Sequence, residues 1–257
     1  MPALSAVIIT KNEERNLPRT LAPLTFADEV LVVDSGSTDR TATLARSLGA
    51  RVLEHPFLGD GPQKRWAAAQ ARHDWILGLD ADEVLDAELA GAIRSLLAQS
   101  QPACAAYSLR YITIFMGQPL RHGPESRRRH IRLFDRRRAG WTEATVHGQV
   151  VTDGPVGALP GAVLHYTIRD LSDSVAKMNL YSSMGAAEVV RRGKRRSAAA
   201  LVLTAPVQFL RHYLLLQNFR NGIPGLAWSF MNAMGSTMKY LKARELQGSS
   251  PPAEGPP

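Results

Sequence analysis

The chain has 257 residues, 45% of them apolar, enough to bury one sizeable core. Its one cysteine, Cys104, excludes an intrachain disulfide and fits a reducing compartment. Residues 1–104 carry 10 Lys/Arg against 14 Asp/Glu, and residues 105–257 carry 21 against 9. An acidic front half and a basic back half indicate two jobs, the second suited to phosphorylated small molecules, anionic lipid or nucleic acid.

The opening MPALSAVIIT has neither a basic region nor a small-residue cleavage site, so it reads as no signal peptide. No run of ~18 uninterrupted apolar residues occurs, so no spanning helix is expected. LSAVIIT (4–10) reads as a buried strand, followed by a helix over 12–24 with Asn12 as its cap. EVLVVD (29–34) is a second buried strand. The helix after it has Ser37 or Thr38 as cap and Gly49 past its end. RVLEH (51–55) and WILGLD (75–80) are further strands, each followed by a helix, the first over 61–73. Strands apolar throughout, alternating with helices, predict an α/β fold with a mostly parallel sheet.

Beyond residue 104 come strands at AAYSLRYITIF, ATVHGQVV and VGALPGAVLHY, around a basic, loop-rich stretch. That stretch holds eight arginines between 121 and 138, as expected of a solvated loop or of a phosphate grip. From residue 169 the chain turns helical, and two apolar stretches over 198–245 break at NGIPG (221–225). The expected organisation is 1–104, an α/β ligand-binding half; 105–168, strands and basic loop of the same domain; 169–247, C-terminal helices; and 248–257, a Pro/Gly/Ser-rich disordered tail.

Ligands of open parallel sheets bind beyond the carboxyl ends of the strands. Three strands end there in polar groups: Thr10-Lys11-Asn12, Asp34-Ser35 and Asp80-x-Asp82. Caps and turns explain any one of them; three on one edge favour a site. Asp80 and Asp82 suit Mg²⁺ or Mn²⁺, hard cations that would bridge a diphosphate and stabilise it as a leaving group. An aspartyl-nucleophile phosphatase would carry its pair after the first strand, not the fourth. No P-loop and no GxGxxG follow strand one.

SAVIITKNEERNLPRTL, DEVLVVDSGSTDRTATLARSLGARV and DWILGLDADE, in this order, resemble the family 2 glycosyltransferases, with a nucleotide-sugar-binding domain of the GT-A type. DSGSTDRT, then G-x-Q-K, then LDADE is similar to the lipopolysaccharide core β-glucosyltransferases. The resemblance covers about residues 4 to 240. It implies a pocket lined by Thr10, Lys11, Asn12, Glu13, Asp34 and Ser35, and a metal on Asp80 and Asp82. Gln63 and Lys64 match its Q-K, Lys64 reaching a phosphate, and Arg132 lies in an R-L-F stretch of the donor site.

An inverting transfer needs a base for the acceptor hydroxyl. Relatives commonly read VHE where this chain has Val146-His147-Gly148, so their acid is missing. Glu143 is the first candidate base and Glu125 the second, with His147 orienting the base or meeting the acceptor. RRGKRR (191–196) before an apolar stretch interrupted by Arg211 and His212 reads as attachment to an anionic cytoplasmic membrane face. The implied partners are a nucleotide-sugar donor, probed first as a UDP-sugar, and a glycolipid acceptor. A polyprenyl phosphate acceptor is the alternative. A nucleic-acid-binding protein would interleave aromatics with the arginines, and residues 121–138 offer only Phe134.

Overall fold

A computed structural model describes residues 2–248; most of the expected C-terminal tail lies outside them. The chain forms two compact units, one of the residues up to Thr113 with Ser126–Thr167, the other of Ile114–Glu125 with the chain from Ile168. The stretch 114–125, grouped by sequence with the α/β part, therefore belongs with the helices.

In the first unit, β1 (Leu4–Thr10), β2 (Glu29–Asp34), β3 (Arg51–Glu54) and β4 (Trp75–Asp80) lie parallel in the order β3-β2-β1-β4. Between them run α1 (Leu17–Leu21), α2 (Thr41–Ser47) and α3 (Asp60–Ala69); β5 (Glu83–Leu85) and α4 (Ala87–Leu97) follow. β1, β2 and β4 are apolar almost throughout because packed side chains cover both faces. Leu4, Ile8, Val32, Leu77 and Leu79 enter one core, and Val7, Leu31, Val33 and Ile76 the other.

The sheet continues through β8 (Arg129–Asp135), antiparallel to both β4 and β6 (Ala106–Phe115). It ends in β12 (Val163–His165) and β5, with β11 (Val156–Ala158) beside β6. β9 (Ala139–Trp141) and β10 (Val150–Thr152) form a separate hairpin, and in the second unit β7 (Gln118–Pro119) pairs with the end of β6. The result is a mixed α/β sheet, parallel over its first four strands, with a C-terminal helical segment.

Several sequence expectations need correction. The first helix starts at Leu17, with Pro18 in its first turn, and not at Asn12. Asn12 has a left-handed φ of 55°, and its Oδ1 accepts the N–H of Thr38 at 2.8 Å, so it ties two loops together instead of capping. Ser37 and Thr38 are likewise not caps, since α2 begins only at Thr41, where Asp39 accepts the Thr41 N–H at 2.9 Å. Gly49 does end that helix, at φ 85°. Residues 144–149 form a loop, and β8 crosses the stretch expected to be loop. Its Leu133 and Phe134 are fully buried, and Arg132 is buried with them because partners neutralise it.

In the second unit α5 (Leu171–Arg191) packs on α7 (Gly222–Gly248), and α6 (Ala198–Leu210) also packs on α7. Asp170 caps α5, accepting the Asp173 N–H at 2.8 Å. The break between the last two helices lies before NGIPG, whose Gly222 begins α7. Among the described residues one helical segment, Ala198–Leu215, with mean hydropathy 1.3 over 18 residues, is by length and composition apolar enough to cross a membrane, although Arg211 and His212 interrupt it. Only 6% of it is buried.

Candidate active site

Parallel register brings the predicted strand ends together: Thr10 stands opposite Asp34, and Ile9 opposite Asp80. Asp34 spends both oxygens on its own loop. Oδ2 accepts the N–H groups of Gly36 (3.2 Å) and Ser37 (2.8 Å), and Oδ1 accepts the Ser37 hydroxyl. The Ser35 N–H closes onto the Thr10 carbonyl at 2.9 Å, and its Oγ accepts Gln63 Nε2 at 3.2 Å. Lys11 is exposed, while Glu13 accepts the Asn16 amide at 2.6 Å. These residues form one rim.

At the end of β4, Asp80 meets two buried cations. Lys64 Nζ donates to Oδ2 at 3.2 Å and stands 2.9 Å from Oδ1, out of line for a hydrogen bond. The same ammonium lies 2.8 Å from Asp60 Oδ1, one helical turn back on α3. Arg132 Nη2 is 3.8 Å from Asp80 and 3.4 Å from Glu83, while its Nε donates to Tyr111 at 2.8 Å. Tyr111 donates in turn to Glu83 at 2.9 Å, and Glu83 accepts the Asp80 N–H at 3.0 Å. Trp141 lies under both cations, its ring 5.1 Å from Lys64 Nζ and 5.1 Å from the Arg132 guanidinium.

Burial opposes the charged form of Asp80, but Lys64 and Arg132 outweigh it and hold its carboxyl below the usual aspartate range. Glu83 goes the other way: burial, reinforced by Asp80, pushes it up despite Arg132. Burial and the adjacent Glu83 also raise the Tyr111 phenol.

Asp82 follows the strand, its side chain 21% exposed, with Oδ2 3.4 Å from Nε2 of His165 on β12. Burial would favour neutral His165, yet Asp82, Glu83 and Asp80 raise its pKa above the ordinary value. Asp60, Asp80, Asp82 and Glu83 thus gather around two permanent cations, an excess of carboxylates that suits a divalent cation. The buried Thr10 Oγ1 and Asp80 Oδ1 make no hydrogen bond within the protein. Asp80 and Asp82 are hard oxygen donors of the kind a divalent cation takes. Among the described residues no group of three or more His, Cys, Asp or Glu side chains could hold a metal ion, so bound substrate would have to complete the ligand set.

Of the two expected bases, Glu143 makes none of this cluster's ion pairs: it is 77% exposed and pairs with Arg65 on the outer side of α3. Glu125 is buried and belongs to the second unit. The arginine run also disperses. Arg136 binds the carbonyls of Ala68 and Ala71, and Arg137 binds Asp135. Asp135 pairs with Trp75, at the opposite end of β4 from Asp80 and about 17 Å away at strand rise, so these guanidiniums hold structure and not a diphosphate. Sequence reading missed His165, whose partner Asp82 lies on another element, and Asp60, whose Oδ2 is met by the distant Gly148 N–H; a histidine closing a short strand and the i,i+4 spacing of Asp60 and Lys64 were the signals available.

The family model for glycosyl transferase family 2 matches residues 5–151. This chain belongs to glycosyltransferase family 2. A glycosyltransferase of Rickettsia typhi is 32% identical, covering 96% of this chain and 88% of the relative. The lipopolysaccharide core biosynthesis glycosyltransferase LpsC of Rhizobium meliloti is 34% identical over 95% of this chain and 91% of its own length. Among solved structures, TarS residues 1–349 of S. aureus aligns with a TM-score of 0.47 at 14% identity, covering 96% of this chain and 92% of that one. The acidic cluster at the end of β4 is thus the candidate active site of a glycosyltransferase.

Proposed function

We propose that the transferase moves a sugar, with inversion, from a nucleotide donor, a UDP-sugar, to a hydroxyl of an envelope glycolipid such as the lipopolysaccharide core. The observation that carries this reading is the acidic strand end of β4, where Asp80 faces Lys64 and Arg132 beside the buried Thr10 Oγ1, which makes no hydrogen bond within the protein. The rim of Thr10, Lys11, Asn12, Glu13, Asp34 and Ser35 would take the nucleotide. Lys64 would meet the diphosphate, and Arg132 would hold Asp80 in place from behind. Asp82 and Asp80, beside His165 and with bound substrate, would hold Mg²⁺ or Mn²⁺, which when bound neutralises charge developing on the leaving diphosphate. LpsC supports the choice of acceptor.

The second unit supports work at an anionic membrane surface. Val202, Leu203, Val207 and Leu215 are exposed along the apolar segment, next to Arg191, Arg192, Lys194, Arg195 and Arg196. UDP release from UDP-glucose, measured with core glycolipid and with polyprenyl phosphate, tests the acceptor. Stimulation by the core glycolipid supports the reading; stimulation by polyprenyl phosphate alone would replace it with the second one.

A further inference from the structure

A hydroxyl acceptor must lose a proton as it attacks, and the acids around Asp80 differ in their freedom to take it. Glu83 is buried and bonded to Tyr111 and to the Asp80 amide. Asp80 stands between Lys64 and Arg132, and Asp82 faces His165, in the set proposed to hold the metal. Asp60 shares Lys64 but lies outside that set, with its side chain 28% exposed.

Its setting is built. Asp60 opens α3, and its N–H and that of Gly61 are satisfied by the carbonyls of Thr145 and Ala144, both at 2.9 Å. The loop 142–148 therefore lies directly on the start of the helix, a contact that glycine permits. A Cβ on Gly61 would come within 2.2 Å of the Thr142 carbonyl oxygen. His147 then takes a left-handed φ of 58°, and the N–H of Gly148 donates to Asp60 Oδ2 at 2.7 Å. With Lys64 on Oδ1, each carboxylate oxygen has one fixed partner and keeps acceptor capacity for another. Any side chain at 148 would start 2.5 Å from the Gly61 Cα and 3.2 Å from Asp60 Oδ2. The start of α3 thus closes the space beside Gly148, whose N–H fixes Asp60 Oδ2 there.

We propose that Asp60 is the general base of the transfer, and that the acceptor is therefore a hydroxyl. This rests on the nucleotide-sugar reading of the neighbouring Asp80 site. The acceptor oxygen bonds to the anomeric carbon while its proton passes to the Asp60 carboxylate. The bond from the anomeric carbon to the diphosphate breaks, and its electron pair leaves on the diphosphate. A phosphate-ended acceptor, already ionised at its attacking oxygen, would need no such group.

The test compares wild type, Asp60→Asn and Gly148→Ala. It measures UDP-glucose binding with Mn²⁺ by calorimetry, UDP release with core glycolipid at saturating donor, and melting temperature. Asp60→Asn should keep donor affinity within about twofold and lose about 10²–10⁴-fold in turnover, the usual share of a general base. Gly148→Ala, whose Cβ would start 2.5 Å from the Gly61 Cα and so shift the loop that fixes Asp60, should lose turnover in the same sense. Turnover of Asp60→Asn within about tenfold of wild type would overturn the proposal. So would a loss of donor affinity with turnover restored at saturation, which would make Asp60 a positioning residue for Lys64. Failure of the donor reading shows separately, as a wild-type protein that binds no nucleotide sugar.

Discussion

Asp82 Oδ2 and His165 Nε2 lie 3.4 Å apart, joining the residue pair after β4 to the last residue of β12. In the proposed metal site, an imidazole so placed would either ligate the ion beside Asp82 or fix the carboxylate that does. His165→Ala should lower Mn²⁺ affinity by about 10–100-fold in a calorimetric titration. Unchanged affinity would remove His165 from the metal site.

Arg132 neutralises Glu83 inside the sheet, where neither side chain reaches water. Arg132→Met would leave the Glu83 carboxyl buried without its cation, costing about 3–5 kcal/mol. The urea midpoint should fall accordingly. A loss below about 1 kcal/mol would mean that the network carries no structural weight.

Glu29 contributes to the acid limb of the fold's stability. Burial alone would raise its pKa. The Arg72 N–H at 2.7 Å, the Ser5 hydroxyl at 2.6 Å and Arg51 at 2.8 Å outweigh burial and lower it below 4.5. Because the folded value is the lower one, the carboxylate contributes its full stabilisation at neutral pH. That contribution is lost as pH falls below 4.5 through the folded pKa. Glu29→Gln should cost about 2 kcal/mol at pH 7 and flatten the acid limb of the stability curve. An acid limb identical to wild type would contradict this.

Membrane attachment predicts that Leu203→Asp with Val207→Asp reduces cosedimentation with phosphatidylglycerol vesicles, with the melting temperature unchanged because both side chains are exposed. Raised salt should weaken binding as well, through the basic stretch 191–196. Equal sedimentation of the variant would assign the apolar face another role.

β1, β2 and β4 were legible because a strand covered on both faces is apolar along its length, and Asp80 and Asp82 stood out by interrupting one. β8 was not, because RHIRLFD reads as a charged loop until Tyr111 and Glu83, 21 and 49 positions away, are seen to neutralise Arg132. Asn12 resembled a cap because its partner, Thr38, is distant in sequence. Asp60 sits between two glycines and reads as a turn; only the loop at 142–148 gives its carboxylate a setting. Local pattern reveals what packs, whereas a site's electrostatics arise from partners that the fold assembles.

The most direct test of the central claim is calorimetric titration of UDP-glucose into wild type and Asp82→Ala, with Mn²⁺ and with chelator. Binding that needs the metal and disappears in Asp82→Ala is the predicted result. Equal binding by both proteins in chelator would contradict a metal-held diphosphate at the end of β4.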